Sequence, residues 1–445
     1  MTAAKGGCPF TSRRGFLAAA GWAAGALGTG LGDAAARAAE AAVPTAAQRS
    51  ATMATEPFWG EHQSGILTPT QSHTYFAVFD LAATQASDVA ALLRSWTLAA
   101  ARMTAGETAA PLSKDLSVAA SDSGDTLDLG PARLTLTFGF GPGLFVKDGK
   151  DRYGLAAHRP AALVDMPAFN GDQLVATHTG GDLSVQACAD DPQVAFHAVR
   201  QLVRLAYGIA QLRWAQSGFA SDSTDGGTPR NLMGFKDGTQ NPVAPPHVGR
   251  RDNSTRPALS PQQVVWAGDE APAWMRGGSY LVARRIRISL EHWDRTDTEF
   301  QEQVIGRHKS SGAPLGGHDE FDPLDLRAAD KDGNFIIPDT AHVRLAAAAS
   351  NDGAEILRRS YSYNDGLSFI AERWPPWRQG MLFDAGLLFM AYQRDPRTGF
   401  IKIYDTMSKL DALNQFTTHI GSGLFACPRG AREGEFVGQR LFDKV

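Results

Sequence analysis

The sequence predicts an α+β fold built from two ferredoxin-like halves with antiparallel sheets. With 445 residues, the chain is long enough for one large domain or two ordinary ones. The hydrophobic pattern gives the order strand, helix, strand, strand, helix, strand once in each half of the chain. Residues 74–78 and 279–282, which open the two runs, are loosely similar and indicate an internal repeat.

The first half begins with alternating apolar residues, which predict a half-buried strand. Ser87 and Asp88 are suitable N-cap residues for a helix whose apolar side chains recur at helical spacing as far as Met103. Asp191 and Pro192 open a second helix, because proline is favoured in a first helical turn. The predicted strands of this half are residues 75–81, 134–140, 183–185 and 212–217.

The second half repeats this order. Its predicted strands are residues 279–286, 387–392, 400–404 and 423–425, and its predicted helices are residues 293–305 and 407–416. We interpret 387–392 and 400–404 as a hairpin that turns at Asp395 and Pro396. Two loop-rich stretches, residues 222–277 and 306–357, are longer than ordinary connections and are therefore the expected location of functional residues.

Composition excludes some classes of function. Acidic and basic residues are mixed along the chain and give a formal net charge of −4. There is no basic stripe of the kind that binds phosphate backbones, so nucleic acid is not an expected partner. Cys188 and Cys427 are too few for a disulfide framework and wrongly spaced for zinc; they either form one bridge or stay as buried thiols.

The N-terminus has the features of an export signal. Arg13 and Arg14 directly precede an Ala- and Gly-rich run that is too short and too weakly apolar for a stable membrane span. An ordinary signal peptide with a chance arginine pair is the alternative, but the pair favours the twin-arginine export machinery. That route carries folded proteins, so we expect an extracytoplasmic location. The predicted organisation is a signal at residues 1–41 and halves at 42–225 and 226–445.

Each long loop contains one candidate for chemistry. On the residues alone, Asp237 lies either in a plain turn or in a loop whose flanking glycines let the backbone approach a flat ligand. His342 is surrounded by small and apolar residues, and an arginine pair, Arg358 and Arg359, follows one loop later. The sequence at 330–334 is similar to a calcium loop, but its glycine is misplaced and Ala341 stands where the bidentate Glu is required, so we reject calcium.

Residues 234–238, Gly-Phe-Lys-Asp-Gly, resemble the GxxDG motif of dye-decolourising peroxidases. Further segments are similar to that family and occur in the family's order: residues 138–145, 277–282, 305–307, 312–315, 341–345, 357–363 and 386–389. The resemblance therefore covers essentially the whole chain after the signal. Together with the arginine pair at the N-terminus, it is a resemblance to the bacterial branch that includes secreted peroxidase/deferrochelatase proteins.

The resemblance implies a fold of the dimeric α+β barrel type with one haem b in the C-terminal half. His342 would be the proximal ligand of the iron, and Asp411 the carboxylate that accepts a hydrogen bond from its other ring nitrogen. Asp237 and Arg358 would form the catalytic pair on the distal side. Arg359 is adjacent, and Arg358 is preferred because it aligns with the first arginine of the motif.

The same resemblance implies further haem contacts and leaves one region undefined. Relatives often continue the histidine motif with Asn-Pro, whereas residues 346–349 are alanines here, so the contacts that follow His342 are not implied. The implied contacts are the backbone of Gly238, Thr239 and Gln240 against the haem, Arg307 at a propionate, and Leu387 and Phe389 on the distal side.

The implied activity is oxidation of bulky phenolic or dye-like donors by hydrogen peroxide. Asp237 can carry a proton from one peroxide oxygen to the other, and Arg358, which stays charged, can stabilise the negative charge that develops. Large donors cannot reach a buried haem edge, so a Tyr or Trp relay is expected. Nine Trp and eight Tyr leave the relay residue open, and an oligomer is compatible with the sequence.

Three other classes of protein are alternatives to a peroxidase. A haem-handling protein of iron acquisition, a deferrochelatase, is the main one, and no residue separates it from a peroxidase. A haem-free binding module on the same scaffold is disfavoured, because Asp237, His342 and Arg358 occur together. A chlorite-dismutase-like enzyme would use the histidine and the arginine but gives no reason for the loop at 234–238.

Overall fold

The computed structural model describes residues 53–221, 228–242, 260–371 and 379–443. The N-terminal half consists of β1 (His73–Leu81), α1 (Ala86–Thr104), β2 (Thr135–Phe140), α2 (Pro142–Phe145), β3 (Leu183–Ala189), α3 (Pro192–Leu205) and β4 (Ala210–Phe219). Two short 3-10 turns, Ala156–His158 and Ala176–His178, precede β3. The four strands form an antiparallel sheet in the order β2-β3-β1-β4.

The C-terminal half repeats the strand order with shorter helices. It consists of α4 (Pro261–Val264), β5 (Ser279–Ile288), α5 (Leu290–Trp293), α6 (Thr298–Ile305), α7 (His342–Ala346), β6 (Leu357–Arg358), β7 (Tyr361–Ala371), β8 (Gln379–Gln393), α8 (Phe400–Leu410), β9 (Thr417–Cys427) and α9 (Gln439–Phe442). Its sheet has the order β9-β5-β8-β7, and the two-residue β6 also pairs with β8.

In each half the first and third main strands are central, which is the ferredoxin-like order, so the predicted α+β fold is confirmed. The two sheets join at both edges through single residue pairs, Phe140 with Ala426 and Phe219 with Ser362. Pairing therefore runs from strand to strand around a closed ring, as in a barrel. Apolar side chains from both sheets fill the space between them, including Phe76, Leu281 and Leu388.

The N-terminal helices form as their sequences predict, with one difference at a helix start. The side chain of Asp191 accepts hydrogen bonds from the backbone N–H groups of Gln193 and Val194, so the predicted cap of α3 is confirmed. The predicted cap of α1 is wrong, because the helix already begins at Ala86. Asp88 lies in the first turn of α1 instead, where a negative charge interacts favourably with the helix dipole.

Several predicted elements of the C-terminal half are wrong in type or bounds. The strand predicted at 400–404 is the start of α8, because Phe400, Ile403, Tyr404 and Met407 are buried at helical spacing. The partner of β8 in a hairpin is β7. The helix predicted at 407–416 ends at Leu410 and is followed by a 3-10 turn, Ala412–Gln415.

The helix predicted at 293–305 is divided into α5 and α6. Asp297 ends the connection between them, since its side chain accepts a hydrogen bond from the backbone N–H of Phe300 and caps α6. Such a cap favours a new helix start over a continuous helix.

Other sequence expectations concern the thiols and the N-terminus. Cys188 and Cys427 are both buried free thiols. The predicted signal at residues 1–41 lies outside the described residues. None of the helices in the described ranges combines the length and the apolar character that crossing a bilayer requires.

Candidate active site

Asp237 lies in a loop that is anchored on the aromatic core of the C-terminal half. The indole Nε1 of Trp293 donates to the backbone carbonyl of Met233 at 2.9 Å, and its ring meets that of Phe235 edge-on at 5.9 Å between centroids. The backbone N–H of Asp237 donates to the carbonyl of Pro229 at 2.8 Å. Buried aromatic packing and backbone hydrogen bonds therefore fix the position of this carboxylate.

The residues around Asp237 are held by Glu320. Lys236 pairs with one carboxylate oxygen of Glu320 at 2.5 Å, and the hydroxyl of Thr239 donates to the other at 3.1 Å. Between them, Gly238 has a φ of +113°, a conformation that side chains other than glycine rarely adopt. Gln240, which follows Thr239, is exposed. The motif is thus a rigid turn that presents the Asp237 side chain.

Arg358 meets Asp237 from the short strand β6. Its Nη1 donates to Oδ1 of Asp237 at 2.8 Å, and the two side chains are 27 % and 24 % exposed. The side-chain amide of Asn241 holds the backbone of Arg358 on both sides: Nδ2 donates to its carbonyl at 2.8 Å, and Oδ1 accepts from its N–H at 2.9 Å. The loop that carries the acid is therefore tied directly to the strand that carries the arginine.

Arg359 points away from this pair. Side chains of consecutive strand residues alternate between faces, and Arg358 lies opposite Ala391 of β8. Arg359 instead extends into the space between the sheets, where its guanidinium donates to the backbone carbonyl of Thr68 and to the side chain of Gln71. The structure thus brings Arg358, and not Arg359, to Asp237.

His342 and Asp411 form a second pair. His342 is the first residue of α7, and Asp411 immediately follows α8. Nδ1 of His342 is 2.7 Å from Oδ2 of Asp411, whose Oδ1 accepts from the backbone N–H of Leu413. The carbonyl of Thr340 accepts from the N–H of Ala412 at 3.0 Å, so backbone also joins the two segments. The carboxylate is buried and orients the imidazole ring.

The pKa values of Asp237 and His342 are shifted by charges from both pairs. Burial raises the pKa of Asp237, but the charge and hydrogen bonds of Arg358, with Asn231 and His342, outweigh burial and lower the pKa overall. Burial lowers the pKa of His342, but the charge and hydrogen bond of Asp411 outweigh it and raise the pKa overall. The charges of Arg358 and Asp237 also act on the pKa of His342, so the two pairs interact electrostatically.

Leu387, Phe389 and Arg307 are the remaining predicted side chains. Leu387 and Phe389 alternate along β8 on the same face as Ala391, and therefore on the side of Arg358. Arg307 is buried, and its Nη1 donates to the carbonyls of Gly312 and Glu320 at 2.7 and 2.9 Å. Its Nη2 is buried and makes no hydrogen bond within the described ranges.

Three residues that hold this geometry are not predicted by the sequence analysis. Asn231 donates to Oδ2 of Asp237 at 3.3 Å, Asn241 holds the backbone of Arg358, and Glu320 holds the loop at 236–239. The two asparagines could have been found by their nearness to Asp237 in the sequence. Glu320 carries no such signal, because it is far in the sequence from the loop that it holds. It follows Lys236 by 84 residues and Thr239 by 81.

The donor set of the site fits a haem. His342 with Nδ1 donating to Asp411 presents the lone pair of Nε2, and Nε2 makes no hydrogen bond among the residues described. A neutral imidazole held by a carboxylate is the usual proximal ligand of haem iron in peroxidases. An acid paired with an arginine in the same site supplies proton transfer and charge stabilisation for peroxide. Fold and site together define a haem-dependent peroxidase.

The sequence belongs to a known family of that class. Residues 63–220 match the model of the Dyp-type peroxidase N-terminal domain, and residues 228–432 match the model of the C-terminal domain. The chain therefore belongs to the Dyp-type, or dye-decolourising, peroxidase family. The family binds haem, so haem is the cofactor. The predicted family and enzyme class are confirmed.

Similar proteins match most of the chain. The dye-decolorizing peroxidase of Thermobifida fusca (strain YX) is 40 % identical over 462 aligned positions that cover 97 % of both chains. A protein named deferrochelatase from Escherichia coli (strain K12) is 36 % identical over 396 positions that cover 87 % of both. Among solved structures, ferric DtpA from Streptomyces lividans matches with a TM-score of 0.76 and 40 % identity, covering 88 % of this chain and 98 % of that one.

Proposed function

We propose that this chain oxidises bulky phenolic or dye-like donors with hydrogen peroxide outside the cytoplasm, with His342, Asp411, Asp237 and Arg358 as its working residues. The observation that carries the proposal is the pair of contacts at one electrostatic site, 2.7 Å between His342 and Asp411 and 2.8 Å between Arg358 and Asp237. Membership of the peroxidase family supports the reaction class.

His342 and Asp411 form the proximal side of the proposed mechanism. Haem, when bound, supplies an iron centre that passes electrons from donors to peroxide. Nε2 of His342 would be the protein ligand of that iron. Asp411 keeps the proton on Nδ1, fixes the ring orientation and makes the imidazole a stronger electron donor. Leu413, whose N–H is bonded to the other carboxylate oxygen, keeps Asp411 in place.

Asp237 and Arg358 form the distal side. Asp237 accepts a proton from one peroxide oxygen and returns it to the other, which needs an ionised carboxylate at the start. The lowered pKa of Asp237 provides that state, because Arg358 outweighs the effect of burial. Arg358 remains charged throughout and stabilises the negative charge that develops as the oxygen–oxygen bond breaks.

The other predicted residues would shape the cavity. Gly238 lets the backbone of Thr239 and Gln240 approach a flat ligand, because no side chain stands at its left-handed position. A haem propionate would give the unpaired Nη2 of Arg307 the acceptor that it lacks among the described residues. Leu387 and Phe389 would keep water from the distal side.

The test is turnover by purified haem-loaded protein. With peroxide and an anthraquinone dye or a substituted phenol, we expect donor bleaching or coupling, and the double variant Asp237→Ala, Arg358→Ala should lose most of it. Lys114→Gln, at an exposed residue of the N-terminal half, is the control. Equal turnover by the double variant would refute the assigned roles.

The second candidate function is iron removal from haem, which the 36 % identical relative named deferrochelatase favours. The two activities leave different products. Incubation with haem and a reductant, without peroxide, should give no free protoporphyrin if the chain is a peroxidase. Accumulation of intact protoporphyrin with release of iron would favour the alternative.

Export by the twin-arginine route is part of the proposal and rests on Arg13 and Arg14. Lysine at both positions should leave haem-loaded protein in the cytoplasm, because the machinery reads the arginine pair. Fractionation of cells that express each form provides the measurement. Secretion at the parental level would contradict this route.

A further inference from the structure

A cavity rich in arginine lies outside the candidate active site. It has a volume of about 550 Å³ and lies where β9 ends and β5 begins. None of Asp237, His342, Arg358 and Asp411 lines it. Its lining residues are Gly60, Glu61, Arg276, Gly277, Arg429, Arg432 and Arg440. A cavity of this size is within the range that holds small-molecule ligands.

The cavity wall is a built structure that brings distant segments together. The N–H of Gly60 donates to the carbonyl of Ala431 at 3.0 Å, and the N–H of Gly430 donates to the carbonyl of Glu61 at 2.9 Å. A Cβ on Gly430 would lie 2.4 Å from the carbonyl oxygen of Gly60, so this close approach requires glycine. These contacts hold Glu61 beside the segment that supplies three of the arginines.

A second contact fixes the side of the cavity formed by Gly277. Nδ1 of His62 lies 2.7 Å from the carbonyl oxygen of Gly277. The ring of His62 stacks on that of Trp266 with centroids 3.8 Å apart. Trp266 is itself buried in the core between the two sheets. The arginines are therefore mounted on a rigid base rather than on a free loop.

The charges of the cavity are not balanced within the described residues. Arg429 pairs with Glu435 at 2.7 Å, and Arg276 makes a longer contact of 3.4 Å with the exposed Asp269. Arg432 and Arg440 make no ion pair there, although the charge of Arg440 lowers the pKa of Glu435. Glu61 supplies the one carboxylate among the lining residues, against four arginines. A local excess of positive charge in a chain with a net charge of −4 attracts anions to this point.

Arg429 also has an unused donor. Its side chain is 12 % exposed, and Nε is buried without a hydrogen-bond partner among the described residues. Guanidinium groups bind phosphate and carboxylate oxygens through paired hydrogen bonds, which are stronger than neutral ones. Arg432 and Arg440 are exposed and can turn toward such a ligand.

We propose that this cavity binds a small polyanion that carries two or more phosphate or carboxylate groups. Two guanidinium groups without an ion pair in the described ranges, and a third whose Nε has no hydrogen-bond partner there, match more than one acidic group. The site is separate from the peroxidase residues, so the inference goes beyond the proposed function and does not depend on it.

The experiment is calorimetric titration of the haem-loaded protein with pyrophosphate at low ionic strength. We expect saturable binding that weakens as salt is added, since exposed charges are screened. The double variant Arg432→Gln, Arg440→Gln should bind at least about tenfold more weakly, as expected when charged hydrogen bonds are lost. Arg327→Gln, which removes one exposed arginine elsewhere, should bind like the parent.

Competition by citrate would extend the recognised chemistry to carboxylates, and pyrophosphate binding without citrate competition would restrict it to phosphate. No saturable binding by the parent, or equal affinity in the double variant, would overturn the site. Because Arg432 and Arg440 are exposed, loss of folding is not expected to obscure the result, and thermal unfolding checks it. Turnover of a neutral phenol should be unchanged in the double variant, so failure of the cavity is distinguishable from failure of the peroxidase assignment.

Discussion

The two halves of the molecule share a strand order but differ in what covers their sheets. In the N-terminal half, β1 and β2 are connected through the 19-residue helix α1, and the 14-residue α3 connects β3 to β4. In the C-terminal half, the connection after β5 has only the four-residue α5, the eight-residue α6 and a long loop that includes α7. The C-terminal half therefore lacks the long first helix that covers the sheet in the other half.

Because of this difference, we expect the N-terminal half to contribute mainly to stability and the C-terminal half to carry the residues of the candidate active site. The helices of the N-terminal half bury Trp96, whose indole donates to the carbonyl of Leu202 at 2.9 Å, in a continuous apolar core. The loop-rich segments of the C-terminal half instead position Asp237 on a loop, His342 at the start of the short α7 and Arg358 on the two-residue β6. Loops and short elements in place of a packed helix can carry functional side chains to the face of a rigid sheet.

The largest expected effect is at His342. His342→Ala should lose the strong Soret band or retain only weakly held haem, because no other ligand of this kind is paired with a buried carboxylate in the described site. Optical spectra during haem titration measure it. His158→Ala in the N-terminal half, a half-buried histidine whose ring makes no hydrogen bond in the described ranges, is the control and should bind haem normally. A parental spectrum from His342→Ala would contradict the assignment.

Trp96, in the N-terminal half, should behave in the opposite way to His342: its loss should reduce stability and leave haem binding unchanged. Trp96→Ala should lower the free energy of unfolding by about 3–5 kcal/mol, since it leaves a cavity in the core, while the haem spectrum of the folded protein stays parental. Thermal unfolding gives the first quantity. Leu98→Ala, on the exposed face of the same helix, should change stability by less than about 0.5 kcal/mol. Loss of haem binding in folded Trp96→Ala would contradict the assignment of stability to the N-terminal half and of haem binding to the C-terminal half.

A smaller effect is expected at the distal pair. Arg358→Ala should slow the reaction with peroxide by about a hundredfold or more, comparable to removing one donor to a developing oxyanion. Asp237→Ala should slow it comparably or less, because water can replace a carboxylate as proton carrier. Stopped-flow mixing with peroxide measures both rates. If both variants react at the parental rate, the distal pair is misplaced.

The smallest effect concerns pH. The pKa of Asp237 is lowered in the folded protein, chiefly because Arg358 outweighs burial, so the carboxylate stays ionised on the acid side of neutrality. The reaction with peroxide should therefore persist at mildly acidic pH and fall only as the pH drops through this lowered pKa. In Arg358→Ala burial dominates, and the acid limb of the pH–rate profile should move to higher pH. An unmoved limb would remove Asp237 as the titrating group.

The sequence predicts the periodic parts of this molecule well. Asp191 as the cap of α3 and the strands around residues 75–81 and 279–286 follow from local chemistry. The strand predicted at the beginning of α8 is wrong because a short apolar run does not by itself distinguish a strand from a helix. Only the burial of Phe400, Ile403 and Met407 shows the helical period.

The features of the candidate active site also differ in whether local sequence patterns predict them. The separation of Arg358 from Arg359 follows from alternation along a strand, but only once β6 is recognised as a strand. The contact of Asp411 with His342 and the role of Glu320 depend on long-range packing, since they join segments that are 69 or more residues apart. Local patterns carry no information on such contacts, so Asp411 is implied only by the resemblance to the family, and Glu320 is not implied at all.

The most direct test of the account is a crystal structure of the haem-loaded protein. We predict haem in the C-terminal half, with Nε2 of His342 at bonding distance from the iron, Nδ1 still donating to Asp411, and Asp237 and Arg358 on the opposite face. Coordination of the iron by any other side chain, or haem bound with Asp237 and Arg358 on the same face as His342, would contradict it.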